Sequence, residues 1–317
     1  MILGSWLSWQ LPPTFGEEPL SADAPRVLVV VGAAGAPEYA TAFRQWADRW
    51  QQACQRSRGV CQVIGLDPPS DMSDRERLKA ALTSLVGDSR QPAWIVLLGH
   101  GTYNGRVARF NLQGPDVSAS DLSQWLSDVT RPTVIVDCSA CSGPFLAELS
   151  GPQRVIVTAT QSGHEYNYAR YGDYLSAAIA DPSADLDKDE QTSLWEAYLV
   201  AGARLREFYA RSARLATEHP LLDDNADRRG TPADWFQGLR PVKRPPEGGQ
   251  LDGALARQLV LAPAAREQQF TREQVERRDE LEREIAALRS RRATLEEAEY
   301  FRQLEPLLVE LARLYRP

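Results

Sequence analysis

The sequence predicts an α/β protein built on a mostly parallel sheet, and three observations predict it. Short runs of apolar, β-branched residues recur along the first half of the chain. Each is followed by a stretch with apolar side chains near helical spacing. Most of the runs are apolar along their length rather than alternating, which is how strands read when helices cover both faces of a sheet.

The elements follow in order. Val27–Val31 is stopped by Gly32–Pro37, and Glu38–Ala53 then carries Phe43, Trp46 and Trp50 on one helical face. Val60–Leu66 repeats the strand signal, and Ser73 with Glu76 forms a capping box that opens a helix through Leu85. Trp94–Leu98 is fully apolar and is broken by Gly99. Ser118 and Asp121 mark another helix start, carrying Leu122, Trp125 and Leu126, before strands over Thr133–Val136 and Val155–Ala159. After Gly172 the chain turns helical and acidic, and Pro241–Gly249 has the Pro/Gly composition of a linker. Thr271–Leu314 reads as a helical hairpin, with Leu281, Ile285 and Leu288 on one face and Leu304, Leu308 and Leu311 on another. It either packs on the main domain or binds a protein partner. The expected division is an N-terminal segment over 1–25, an α/β domain over 26–240, a linker over 241–250 and the hairpin module over 251–317.

At 317 residues, 43% hydrophobic and 25% charged, the chain has an ordinary globular composition. A net charge of −7 with a pI near 5.2 argues against affinity for nucleic-acid phosphates or anionic lipid. No apolar run is long enough for a membrane-spanning helix. The opening MILGSWLSWQ is apolar but lacks a basic flank, so it reads as the tail of an export signal or as a strand packed on the domain. The cysteines fall into two close pairs, Cys54/Cys61 and Cys138/Cys141. The first pair brackets a helix end and a strand start, which allows a short disulfide in an oxidising compartment or two unlinked small hydrophobes.

Two apolar strands run into reactive residues. Trp94–Leu98 leads into Gly99-His100-Gly101, and Thr133–Val136 leads into Asp137-Cys138-Ser139-Ala140-Cys141-Ser142-Gly143. A cysteine nucleophile needs a base and a backbone oxyanion donor, and a histidine followed by glycine supplies both. Here IVLLGHG resembles the histidine segment of caspases and legumain, and Ala140–Gly143 resembles the caspase Ala-Cys-x-Gly pattern. The resemblance, over about residues 26–180, is to the clan CD cysteine peptidases, and GHGTYNG lies closest to the legumain side. It implies a caspase-like three-layer sandwich, with His100 as general base, Cys141 as nucleophile and Gly101 as an oxyanion donor. Counting from the strand places the family's cysteine near Ser139, alignment on Ser-Gly places it at Ala140, and only Ala-Cys-x-Gly gives Cys141. Cys138 is the alternative nucleophile. Pro144 opening a helix would set Cys141 at a positive helix end, which lowers a thiol pKa. Gln161, Glu165 and Arg170, after the next strand, fall in the region that lines the family's specificity pocket. Glu165 would select a basic side chain and Arg170 an acidic or amide one; Arg170 pairing with Asp173 or Glu165 is the structural alternative.

Asp185, Asp187, Asp189, Gln191, Ser193 and Glu196 stand at positions 1, 3, 5, 7, 9 and 12 of an EF-hand-like loop, with Glu190 where glycine normally makes the sixth-position turn. Asp223, Asn225, Asp227, Thr231 and Asp234 repeat the spacing more weakly, with Arg228 in place of the glycine. The expected ion is a structural Ca2+, with no organic cofactor; a solvated acidic loop capping a helix is the plainer alternative. The whole predicts a cysteine endopeptidase acting on a peptide or protein substrate through an acyl-enzyme. The alternatives are a catalytically inactive scaffold of the same fold, or a Cys138/Cys141 redox protein. The calcium-like loops and the apolar start point to a periplasmic or extracytoplasmic home over the cytoplasm.

Overall fold

Strands form where the chain offers β-branched and aliphatic residues on both faces, and glycines end them. The computed structural model describes residues 24–67, 71–87, 89, 91–246 and 249–316. Residues 1–23, nearly all of the expected N-terminal segment, and residues 247–248 of the expected linker lie outside these. The first strands are β1 (Arg26–Val31), β2 (Val60–Ile64) and β3 (Ala93–Leu98). A separate antiparallel sheet follows, of β4 (Gly101–Tyr103), β5 (Ala108–Phe110) and β6 (Val117–Ser118). Then come β7 (Thr133–Asp137), β8 (Arg154–Thr158), β9 (Leu221–Asp223) and β10 (Thr231–Pro232).

The main sheet has seven strands in the order β2-β1-β3-β7-β8-β9-β10. From β2 to β8 every neighbouring pair is parallel, and β9 runs against β8 and β10. This is the mostly parallel α/β architecture that the fully apolar strands predict. Side-chain alternation divides the core in two. Val27, Val29, Trp94, Val96, Val134, Val136, Val155 and Val157 join one cluster with α1 (Pro37–Arg56), and Leu28, Val30, Ile95, Leu97, Ile135 and Ile156 face the other.

The second face is covered by α2 (Asp74–Thr83), α3 (Ala119–Trp125) and α4 (Gly143–Leu149), which bring Leu78, Leu82, Leu122, Phe145 and Leu149. The first is completed by α5 (Tyr171–Ala178) and α6 (Leu194–Arg211), with Tyr171, Trp195 and Tyr198. Each buried Trp, Tyr or Phe withdraws on the order of 150–250 Å² from water, so the aromatic-rich α1/α5/α6 layer carries much of the hydrophobic driving force. Side chains cap three of these helices: Ser73, Ser118 and Ser193 each form a full capping box, with Glu76, Asp121 and Glu196 respectively.

The predicted hairpin is present as α7 (Arg272–Ser290) and α8 (Glu297–Leu314), packed on each other and tied by Arg277 to Glu310 at 2.7 Å. Leu281, Ile285 and Leu288 are buried, whereas Leu308 is 41% exposed. The chain between linker and hairpin returns to the main core: Ala256, Leu259 and Leu261 belong to the α1/α5/α6 cluster, and Leu194 donates its N–H to the Leu259 carbonyl.

Candidate active site

The sheet order switches at β1, because β2 is added on one side of it and β3 on the other. In open α/β sheets ligands bind beyond the strand ends at such a point, and His100 stands just past β3. Gly99 is required by close approach: a Cβ would lie 3.0 Å from the Phe110 ring and 3.2 Å from the Gly32 Cα. The His100 Nε2 sits 3.1 Å from the carbonyl oxygen of Ala34, just past β1. A carbonyl only accepts, so Nε2 carries the proton and Nδ1 keeps the lone pair. Tyr39 and Phe43 of α1, with Tyr168, surround the ring at centroid distances of 4.8, 5.2 and 6.0 Å. Burial holds the His100 pKa below its ordinary value, so the ring is neutral at pH 7.

The histidine and cysteine segments meet at Gly101. A methyl group there would overlap the Ala140 carbonyl oxygen and lie 2.8 Å from Ser139 Oγ. The side chain facing the His-Gly segment is therefore Ser139, the position given by counting from the strand. Ser139 is buried, and its N–H and hydroxyl both donate to Asp137 Oδ1, at 2.9 and 2.6 Å. Asp137 is fully buried and its Oδ2 has no partner. Burial pushes its pKa up to about 7, against the two Ser139 hydrogen bonds.

Neither cysteine meets the histidine: among the described residues, no hydrogen bond joins the His100 ring to a thiol. Cys138 points into the core beside Gly172, whose Cβ would come within 2.9 Å of the Cys138 Cβ and also strike the Trp46 ring. Its thiol is raised well above the ordinary value by burial and then by Asp137 and Glu218. Cys141 adopts a left-handed backbone, φ 58°. Its N–H and thiol both donate to the Glu165 carbonyl oxygen, at 3.0 and 3.7 Å. The expectation that α4 lowers the Cys141 pKa is corrected here. Burial first, then the charges of Asp137 and Glu165, push it up to about 11, and the Gly143 N–H at the start of α4 is taken by Thr160 Oγ1.

The expected specificity residues are brought together in part. The Glu165 carboxylate accepts from Gln161 N and Nε2 and from His219 N, and its Oε1 lies 2.5 Å from His219 Nδ1. Gln161 and Glu165 thus form one cluster beside Cys141, completed by His219, which sequence reasoning missed because it lies 54 residues away. Arg170 pairs with neither Glu165 nor Asp173. Its guanidinium lies over the Tyr168 and Phe208 rings, at 5.2 and 5.0 Å, while Arg49 takes Asp173. Buried Glu218, also unforeseen, accepts from the Arg170 and Tyr171 N–H groups and the Tyr209 hydroxyl, which fixes the start of α5.

The Asp185, Asp187 and Asp189 carboxylates each offer an oxygen within 4.8 Å of the others. Gln191 stays at the loop through its N–H and Nε2, which donate to Asp189. Ser193 and Glu196 cap α6, and Glu196 Oε1 also accepts from the Leu186 and Asp187 N–H groups. Lys188 and Glu190 have φ of 66° and 74°, so the fourth and sixth positions turn left-handed without glycine. The weaker loop has the same backbone, with Ala226 and Arg228 both at 64°. Its ninth and twelfth positions turn elsewhere, Thr231 to Asp252 and Asp234 to Lys243.

No protein-family model and no curated protein matches the chain. Among solved structures it is similar to part of the crystal structure of Chaetomium thermophilum Raptor, at 15% identity and a TM-score of 0.33. The match covers 53% of this chain and 18% of that one.

Proposed function

We propose that the chain is a caspase- or legumain-like module that holds a peptide or protein segment at its strand ends without cutting it. The state of the thiols carries this reading. A cysteine peptidase needs a thiolate within reach of a base. Cys141 instead hydrogen-bonds through its thiol to the Glu165 carbonyl, Cys138 lies in the core, and neither thiol is hydrogen-bonded to the His100 ring. With a pKa of about 11, roughly one Cys141 thiol in three thousand is ionised at pH 7.5. The C-terminal hairpin offers the same module a second place to meet a protein partner.

One observation favours the second reading, a cysteine endopeptidase: Gly101 packs against Ser139 and Ala140, so the two reactive segments are in contact. In that reading Cys141 swings off Glu165, His100 Nδ1 takes its proton, and Gly101 helps receive the oxyanion. A panel of peptide acyloxymethylketone probes, with and without millimolar calcium, separates the two. The binding reading expects no adduct in wild type. An adduct on Cys141 that disappears in His100→Ala would overturn it, and one on Cys138 would move the nucleophile there. Calcium would serve as a structural ion: the clustered Asp185, Asp187 and Asp189 supply hard oxygens of the kind it prefers and could tie the loop before α6, with Glu196 joining only if it gave up its capping hydrogen bonds.

A further inference from the structure

The first cysteine pair lies far from the strand-end site, at the junction of α1 and β2. Cys54 is fully buried near the end of α1, and Cys61 is part-exposed on β2, the edge strand of the main sheet. The turn between them is tight: Gly59 N–H returns to the Cys54 carbonyl, and a Cβ at Gly59 would lie 2.9 Å from Cys54 Sγ. Strand register sets the direction of Cys61. It pairs with Val27, which belongs to the α1-side cluster that contains Cys54, and Cys61 and Val63 pack on that same cluster. Both thiols are free, and they lie close enough to perturb each other's ionisation.

We infer that Cys61 and Cys54 form a peroxide-sensitive dithiol that closes into an intramolecular disulfide tying the end of α1 to the sheet edge. The division of labour follows from the environments. Cys61 is part-exposed at the sheet edge, where peroxide can reach it, whereas Cys54 is fully buried behind it. Cys61 is thus the attacking thiolate and Cys54 the resolving thiol. The Cys61 thiolate displaces hydroxide from hydrogen peroxide as the O–O bond breaks, giving a sulfenic acid. Cys54 sulfur then attacks that sulfur; the S–OH bond breaks, and hydroxide leaves with the Cys54 proton as water. Two thiols and one peroxide give one disulfide and two waters.

The test is made on the full chain. Hydrogen peroxide is added in stoichiometric steps, free thiols are trapped with N-ethylmaleimide under denaturing conditions, and peptides are mapped by mass spectrometry. The expected result is a Cys54–Cys61 linked peptide and loss of both alkylation sites, while Cys138 and Cys141 remain fully alkylated. In Cys54→Ala, which keeps an apolar side chain in the core, Cys61 should accumulate as sulfenic acid trapped by dimedone. Before oxidation, Cys61 should react with N-ethylmaleimide at least about tenfold faster than Cys141. Equal loss of all four thiols, a bridge between chains, or Cys61 stopping as sulfinic acid in wild type would each overturn the inference.

Discussion

At the scale of the residue, Asp137 is the group whose placement has the largest measurable consequence. Its carboxyl is fully buried with Oδ2 unpaired, and its pKa is pushed up to about 7 from an unfolded value of 3.8. Below about pH 4 both states hold the proton and the group is neutral in its effect. From pH 4 to 7 the folded chain holds a proton that the unfolded chain releases, so stability falls as pH rises, by up to roughly 4 kcal/mol. Asp137→Asn keeps an acceptor for Ser139 and removes the titration. Wild type minus variant, from urea unfolding at pH 5 and pH 8, should therefore show the variant gaining at least about 2 kcal/mol at the higher pH. Equal differences at the two pH values would show that Asp137 is already ionised in the folded chain at pH 5. The segment around it also shows what single residues reveal. The place of His100 and Gly101 just past the end of β3 was legible because Gly99 breaks the apolar run before them. Which residue of Asp137–Gly143 faces them was not legible, since the segment offers Cys138, Ser139 and Cys141, and only the folded turn sets Ser139 against Gly101.

At the scale of the element, largely apolar runs located the five parallel strands to within two residues at either end, and capping boxes located the starts of α2 and α3. β4–β6, β9 and β10 escaped because strands of two or three residues carry no periodicity. In the acidic loop before α6, backbone conformation and residue type disagree. Glu190 departs from glycine, yet the backbone takes the left-handed turn at φ 74°. A left-handed residue with a Cβ costs about 1 kcal/mol, so Glu190→Gly should raise stability by roughly that amount in the absence of metal. Millimolar calcium should raise the thermal midpoint of wild type and raise it further in Glu190→Gly, with Trp195 of α6 reporting by fluorescence. Asp187→Asn should abolish the calcium response. A midpoint unmoved by calcium in wild type and variant alike would leave the acidic residues as a cap for α6. Glu196 is that cap's centre, with both oxygens taken by four donors, so Glu196→Ala should cost about 2–4 kcal/mol.

At the scale of the whole molecule, the Pro/Gly-rich stretch is a linker in composition, but the chain beyond it is stitched back to the α/β core. The Asp224 carboxylate accepts from the N–H groups of Gly253, Leu255 and Ala256, and Asp252 accepts from Asp224 N and the Thr231 hydroxyl. Leu259 and Leu261 fill the core beside α6, and the Arg257 guanidinium lies 5.5 Å over the Trp195 ring. Composition could show where the chain is irregular but not where its hydrophobic residues return, because that depends on the space α6 leaves open. Two truncations distinguish a linker from a structural strap. A chain ending at residue 240 loses two buried leucines and the partners of Asp224, worth upward of about 5 kcal/mol, and should melt at least about 10 °C below the full chain. A chain ending at residue 270 keeps those contacts and loses only the hairpin, so it should stay within about 5 °C of the full chain. If both melt alike near the full-length value, the strap contributes nothing and the domain ends before Pro241. If both collapse, α7 and α8 are part of the core that supports the strand ends, and a partner binding the hairpin would act on the strand ends through it.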